Sequence, residues 1–183
     1  SPSGAVALAL AGKSLDDFYA VGEAGLLLHY DGKTLRLLES PTRALLSGLA
    51  IGIDGAAHAA CVAESSATVA FIGGGHARLF PKAHDRLADA IVEGGGAVVS
   101  EYAPMVEPTK GTFPQRNRLI SGSADAVIVV EAGARSGALV TASWALEQGR
   151  ECFLVPGPID APTSAGCNGF LRDWHGLARI VSG

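Results

Sequence analysis

The chain has 183 residues, of which 31 are Ala and 24 Gly, with 48% apolar residues, 17% charged residues and a net charge of −4. This balance excludes intrinsic disorder, which needs low hydrophobicity and high charge, and it excludes a globally basic coat for nucleic acid. The length suits one domain with at most a small appendage, and it is enough to bury a real core.

No apolar run approaches the roughly 20 residues that span a bilayer. The longest run near the start, 5–11, is short and lacks the basic flank of a signal segment, so the expectation is a soluble, cytoplasmic protein without membrane contact. Cys61, Cys152 and Cys167 are odd in number and form no CxxC pair, which argues against a disulfide framework and a zinc ribbon. Three buried or half-buried thiols in a reducing compartment are expected, with no metal and no cofactor.

The front of the chain reads as short strands, FYAVG at 18–22, LLLHY at 26–30 and TLRLL at 34–38. Asp31-Gly32 between the last two is a hairpin signal, because a type I′ turn needs positive φ at both central positions. Pro41 closes this stretch, so 1–42 is expected to be a β-hairpin or meander appendage and 43–183 a separate α/β domain. The first residue is Ser1 rather than Met, which points to a processed chain or a fragment.

After Pro41 short apolar runs alternate with Ala-rich segments of helical length. Strands are expected at 44–47, 68–72, 97–100, 126–131, 152–155 and 178–181, and helices at 53–64, 82–93, 114–124 and 136–148. This alternation predicts a Rossmann-like, mostly parallel sheet with helices on both faces, and the continuous apolar runs read as strands covered on both sides. Ligands of such sheets bind beyond the carboxyl ends of the strands. The loops there are 47–52, 73–75, 101–113, 132–136 and 156–166, and glycines just after the strands mark close backbone approach or positive φ.

The most informative stretch is 108–124, PTKGTFPQRNRLISGSA, which holds Lys110, Arg116 and Arg118 and no acidic residue. Pro114 suits a first helical turn, so the loop is expected to end on the amides and positive dipole of a helix N-terminus, a place for an anion. Phe113 precedes that proline. An exposed ring beside cations is how single-stranded nucleic acid is held, with bases on the ring and phosphates on the basic groove. The spacing also admits a plainer reading, in which Phe113 is a hydrophobic staple and the arginines form a solvated face.

The segments SGLAIGIDGAAHAAC, FIGGG and SEY, the long run from FPQRNRLISGS to FLVPG, and SAGCNGFLRD strongly resemble the DNA-processing protein A (DprA, also called Smf) family, from about Leu46 to Val181. The resemblance implies an extended Rossmann fold and a homodimer. It also implies a protein that binds and protects single-stranded DNA without hydrolysing it, and helps load the RecA recombinase during natural transformation. In that family a lysine and an aromatic three residues later contact a phosphate and a base, and Lys110 and Phe113 match them, with Gly111 between. The following RNR matches at Arg116, Asn117 and Arg118, the SGLA segment at Ser47, Gly48 and Gly52, and the glycine loop at Gly73 and Gly74. Asp54 of the same segment is read equally well as a helix cap, and His58 as a satisfied packing histidine.

The front departs from this family, whose members carry a first strand, a Gly-Ser-Arg phosphate loop and a helix before the SGLA segment. Here the run DDFYAVGEAGLLLHYDGKTLRLL resembles one copy of a β-propeller-type repeat, and one copy cannot close a propeller. A fused, rearranged or truncated reading frame is the expectation. Two competing functions stand beside DNA binding. One is an enzyme acting on nucleotide monophosphates, with Glu131 at a strand end as its carboxylate, and the other is a non-binding remnant. The enzyme needs a nucleophile or metal constellation, and the sequence offers no convergent His, Cys and carboxylate set. The residues therefore favour a non-enzymatic DNA-binding protein.

Overall fold

The computed structural model describes residues 44–181 throughout and, before them, the backbone of four strands. These are β1 (Ala7–Ser14), β2 (Asp17–Gly22), β3 (Leu27–Tyr30) and β4 (Leu35–Leu38). They form an antiparallel meander in the order β1-β2-β3-β4, so the run ALALAGKS supplies a strand that its sequence announced only as an apolar stretch. Leu28 pairs with Leu37 and Tyr30 with Leu35. The expected Asp31-Gly32 turn between them lies outside the described residues.

The α/β part follows as β5 (Leu45–Gly48), α1 (Ile53–Ala63), β6 (Thr68–Phe71), α2 (Asp85–Glu93), β7 (Ala97–Val99) and α3 (Thr112–Ser123). It continues with β8 (Ala126–Val129), α4 (Gly137–Glu147), β9 (Glu151–Leu154), α5 (Ala165–Asp173) and β10 (Ala178–Ile180). All of the later strand pairings are parallel, as they must be when each helical crossover returns the chain to the same end of the sheet. The fold class is thus the α/β arrangement of parallel strands flanked by helices that the alternation predicts. The strands pair as two ladders, β5-β6-β7 and β10-β9-β8; apolar runs disclose strands but not which neighbour each one takes. The chain divides into two compact units, Ser1–Arg116 and Asn117–Gly183.

In the first unit Leu49, Ala70, Ile72, Ala88 and Ile91 form a buried cluster. The expected helix at 82–93 begins as a 3-10 turn, Lys82–His84, before α2 proper. In the second unit Val127, Val129, Cys152, Leu154 and Cys167 are buried with Ala142 and Ala145 of α4. Those two alanines expose no surface, which lets the helix backbone lie close to β8 and β9. Ser136 caps α4 by accepting the Ala138 N–H at 3.2 Å.

Two expectations are corrected in this unit. The apolar run of β8 is not covered on both faces, since Val127 and Val129 point inward while Ile128 is 60% exposed. Helix α5 was not expected, because AGCNGFLRD carries two glycines and an asparagine with poor helix propensity. Burial of Gly166, Cys167 and Phe170 on one side holds it, a tertiary gain that outweighs the local cost.

The three thiols are unpaired, Cys61 half-buried and Cys152 and Cys167 buried. Burial pushes the Cys152 thiol up to about 11 and raises Cys167 as well, and only a thiolate is nucleophilic. Alkylation of the native protein at pH 8 is therefore expected to label Cys61 alone, with all three cysteines labelled after denaturation; mass spectrometry of the peptides reads the difference. Rapid native labelling of Cys152 would contradict its burial. Among the described residues no helix is long and apolar enough to cross a membrane.

Candidate nucleic-acid interface

The site is built at the carboxyl ends of β5 and β6. Strand β5 runs out at Ser47-Gly48, and the Ser47 hydroxyl donates to Asp54 Oδ1 at 2.8 Å. Asp54 sits in the first turn of α1, but the N-cap position is Gly52, at φ 113, and no side chain caps the helix. Asp54 thus holds Ser47 instead of capping α1, a correction that follows from the strand end lying within reach of its carboxylate. His58 is fully buried, with Nε2 3.0 Å from the Gly48 carbonyl and Nδ1 2.8 Å from the Thr68 hydroxyl. Burial lowers its pKa, opposed by the Gly48 carbonyl and by Asp54. It is a satisfied packing histidine that ties α1 to the ends of β5 and β6.

Gly48 lies under two charges. A Cβ there would stand 2.8 Å from both Arg116 Nη2 and Asp54 Oδ2, so a side chain at this position would displace the guanidinium and carboxylate ends that lie over this backbone. Arg116 is 5% exposed and donates from Nη1 to the Phe71 carbonyl at the end of β6. Burial lowers its pKa, while Asp54 and Tyr102 favour the charged form. Its Cζ lies 5.9 Å from the centroid of Phe113, within range of a cation–π contact. Arg116 is therefore neither part of a solvated face nor an open phosphate ligand.

The Phe113 ring is half-buried and rests on Gly73, where a Cβ would meet Cδ1 at 2.9 Å. The rest of the glycine loop carries the segment that leads to this ring. Gly74 lies against Pro108, and its carbonyl accepts the Ser100 hydroxyl at 2.7 Å. The Gly75 N–H donates to the Val106 carbonyl at 2.8 Å, and a Cβ at Gly75 would run into the carbonyls of Ala103 and Pro104. Gly73 and Gly74 thus position the aromatic loop.

Helix α3 begins at Thr112, two residues before Pro114, which still falls in the first turn. The Thr109 N–H donates to Thr112 Oγ1 at 2.9 Å, and the Thr112 N–H lies 3.2 Å from the Thr109 carbonyl. This reciprocal arrangement satisfies one of the amides that an anion was expected to find. Lys110 and Gly111 are exposed just ahead of it. Between β5, β6 and α3 opens a cavity of about 240 Å³, lined chiefly by Leu49, Ile51, Gly73, Phe80, Phe113 and Arg116.

The structure thus brings Ser47, Gly48, Gly73, Phe113 and Arg116 together, with Lys110 and Gly111 on the leading loop. Asn117 and Arg118 belong to the second unit, where Asn117 Nδ2 donates to the Gly137 carbonyl at 3.2 Å and the Arg118 carbonyl accepts from Gln148 at 3.0 Å. Glu131 is exposed beyond the end of β8. Among the described residues no group of three His, Cys, Asp or Glu side chains is placed to hold a metal ion. Sequence reading missed Phe80 and Ile51 as cavity walls. The available signal was an aromatic and an aliphatic residue in stretches too polar or too short to be core.

Parallel strands separated by helices define a Rossmann-like α/β protein, and the apolar, arginine-floored recess lies at the strand ends, where such sheets place their ligands. The family model for DNA recombination-mediator protein A matches residues 28–182, and the chain belongs to that family. The match reaches back into β3, ahead of Leu46 where the recognisable motifs begin, so part of the segment read as foreign lies inside it. Protein Smf of Escherichia coli strain K12 is 52% identical over 128 residues, covering 70% of this chain and 34% of that protein. DNA processing protein DprA of Streptococcus pneumoniae strain R6 is 44% identical over 139 residues, covering 76% and 48%. The X-ray structure of DprA from Streptococcus pneumoniae aligns with a TM-score of 0.67 over 75% of this chain and 47% of that one. DNA processing protein A from Helicobacter pylori, 26% identical, aligns with a TM-score of 0.68 over 76% and 61%, and its structure is described in terms of a unique single-stranded DNA binding mode. The chain spans about a third to a half of the length of the curated relatives it matches.

Proposed function

We propose that this chain binds single-stranded DNA without turning it over, as a DNA-processing protein. The observation that carries the reading is the half-buried Phe113 ring, seated on Gly73, backed by Arg116 and preceded by the exposed Lys110. A base stacks on the ring, Lys110 meets a phosphate as a point charge, and Gly111 lets the backbone between them follow the strand. Arg116 serves from the cavity floor, where it backs the Phe113 ring. Ser47, Gly48 and Gly52 form the β5 side of the same site. Asn117 and Arg118 follow along α3 as further DNA contacts. The binding supports DNA uptake in natural transformation, by protecting the strand and helping load the RecA recombinase, and it takes place in the cytoplasm with the protein as a homodimer. The family membership and the DNA-binding mode described for the Helicobacter pylori relative support this reading.

Fluorescence anisotropy with labelled oligo-dT against a duplex of equal length tests it. Binding is expected to favour the single strand and to weaken with salt, at roughly 0.7 in log–log slope per neutralised phosphate. The slope should fall below the value of about 2 that three exposed cations would produce, because Arg116 is buried. Equal affinity for duplex, or indifference to salt, would sink the proposal.

A further inference from the structure

The cavity under Phe113 has a second aromatic wall. Phe80 follows the glycine loop, ahead of α2, and its ring centroid lies 6.2 Å from that of Phe113 at an interplanar angle of 55°. Although apolar, Phe80 is 56% exposed, and it forgoes the stabilisation that burial of an aromatic ring normally brings. It lines both the 240 Å³ cavity and a larger open groove of about 700 Å³, and among the described residues it is the one shared by the two linings. The tilt means that the rings are not parallel jaws for one base; each presents its own face.

We propose that Phe80 is a second base-stacking residue, which takes the base of the nucleotide next to the one on Phe113 as the strand passes from the cavity to the groove. This rests on the single-stranded DNA reading above. The groove favours a base over a phosphate at this point. Asp85, Asp89 and Glu107 line it against Arg78 and Lys82, and Arg78 is already paired with Glu107 at 3.2 Å. With no surplus of positive charge, the groove leaves the phosphate contacts to Lys110. An aromatic face is indifferent to base identity, so the added contact raises affinity without adding sequence preference.

The test compares the unsubstituted chain with Phe80→Ala, Phe80→Leu, Phe80→Tyr and Phe113→Ala in oligo-dT titrations. A second arm is photocrosslinking of the unsubstituted chain to an oligonucleotide carrying 5-iododeoxyuridine. Phe80→Ala and Phe80→Leu are expected to weaken binding about 5- to 100-fold at unchanged salt slope, Phe80→Tyr to stay within about twofold because it keeps the stacking face, and the crosslinked peptides to include the one carrying Phe80. The leucine variant retains an apolar wall, so its loss separates stacking from packing. Oligo-dT binding that depends on Phe113 but is indifferent to Phe80, with no crosslink at Phe80, overturns this inference alone. Failure of the unsubstituted chain to bind oligo-dT overturns the function reading and this inference with it.

Discussion

Replacing Phe113 with Ala is expected to weaken oligo-dT binding by about 1 to 3 kcal/mol, roughly 5- to 150-fold, with little change in salt dependence. On the proposed reading the ring is a stacking platform, and the loss of a stacked base releases no counterions. Lys110→Ala should act differently, lowering affinity for every sequence and reducing the salt slope by about 0.7, since an exposed lysine neutralises one phosphate. Anisotropy titrations at several salt concentrations separate the two. Because Phe113 also packs on Gly73 and near Arg116, Phe113→Leu is the companion variant, filling the space without a π-face. If the phenylalanine and lysine variants lose affinity with the same salt signature, the assignment of ring to base and amine to phosphate is wrong.

Gly75→Ala is expected to produce the largest loss of stability at the site. The added Cβ would meet the carbonyl groups of Ala103 and Pro104, which are backbone atoms with no rotamer to yield. The loop must then move off the glycine turn, breaking the Gly75 to Val106 hydrogen bond of 2.8 Å. Overpacking of this kind costs about 1 to 3 kcal/mol, and each kcal/mol lowers Tm by roughly 2 to 4 °C for a chain of this size. The displaced loop leads to Lys110 and Phe113, so oligo-dT affinity should fall with stability. Gly111→Ala is the contrast. The nearest atom to its Cβ is Thr109 Oγ1 at 3.8 Å, and its Tm should stay close to that of the unsubstituted chain. Thermal unfolding by circular dichroism checks both, and equal Tm values for Gly75→Ala and the unsubstituted chain would remove the docked loop from the account.

Part of the candidate site was legible before the fold was known. Phe113 and Lys110 stood in an acid-free stretch ahead of a proline suited to a helix start, which suggested a ring beside cations, and the family resemblance, not residue type alone, assigned base and phosphate to them. The family motifs pointed to the same positions. Arg116 could not be placed this way, since charge suggests exposure, whereas the Phe71 carbonyl, the Phe113 ring and the nearby Asp54 and Tyr102 favour the guanidinium inside. Asp54 read as a cap because capping is a local rule, whereas its partner, Ser47, arrives from the preceding strand. Phe80 was passed over because a lone aromatic between a glycine loop and a helix has no periodicity to announce it.

The sequence by itself determined most of the α/β elements, because apolar runs, alanine-rich stretches and glycine punctuation act within a few residues of each other. It therefore announced β6, β8, α1 and α4 and the loops in which ligand chemistry could sit. The tertiary structure decided what depends on distant partners. It sorted the parallel strands into two ladders, and it made a helix of AGCNGFLRD through burial of Cys167 and Phe170. It also drew Arg116 under Phe113 and set Phe80 beside it. Pairing and burial are sums over residues far apart in the chain, and no local pattern carries them.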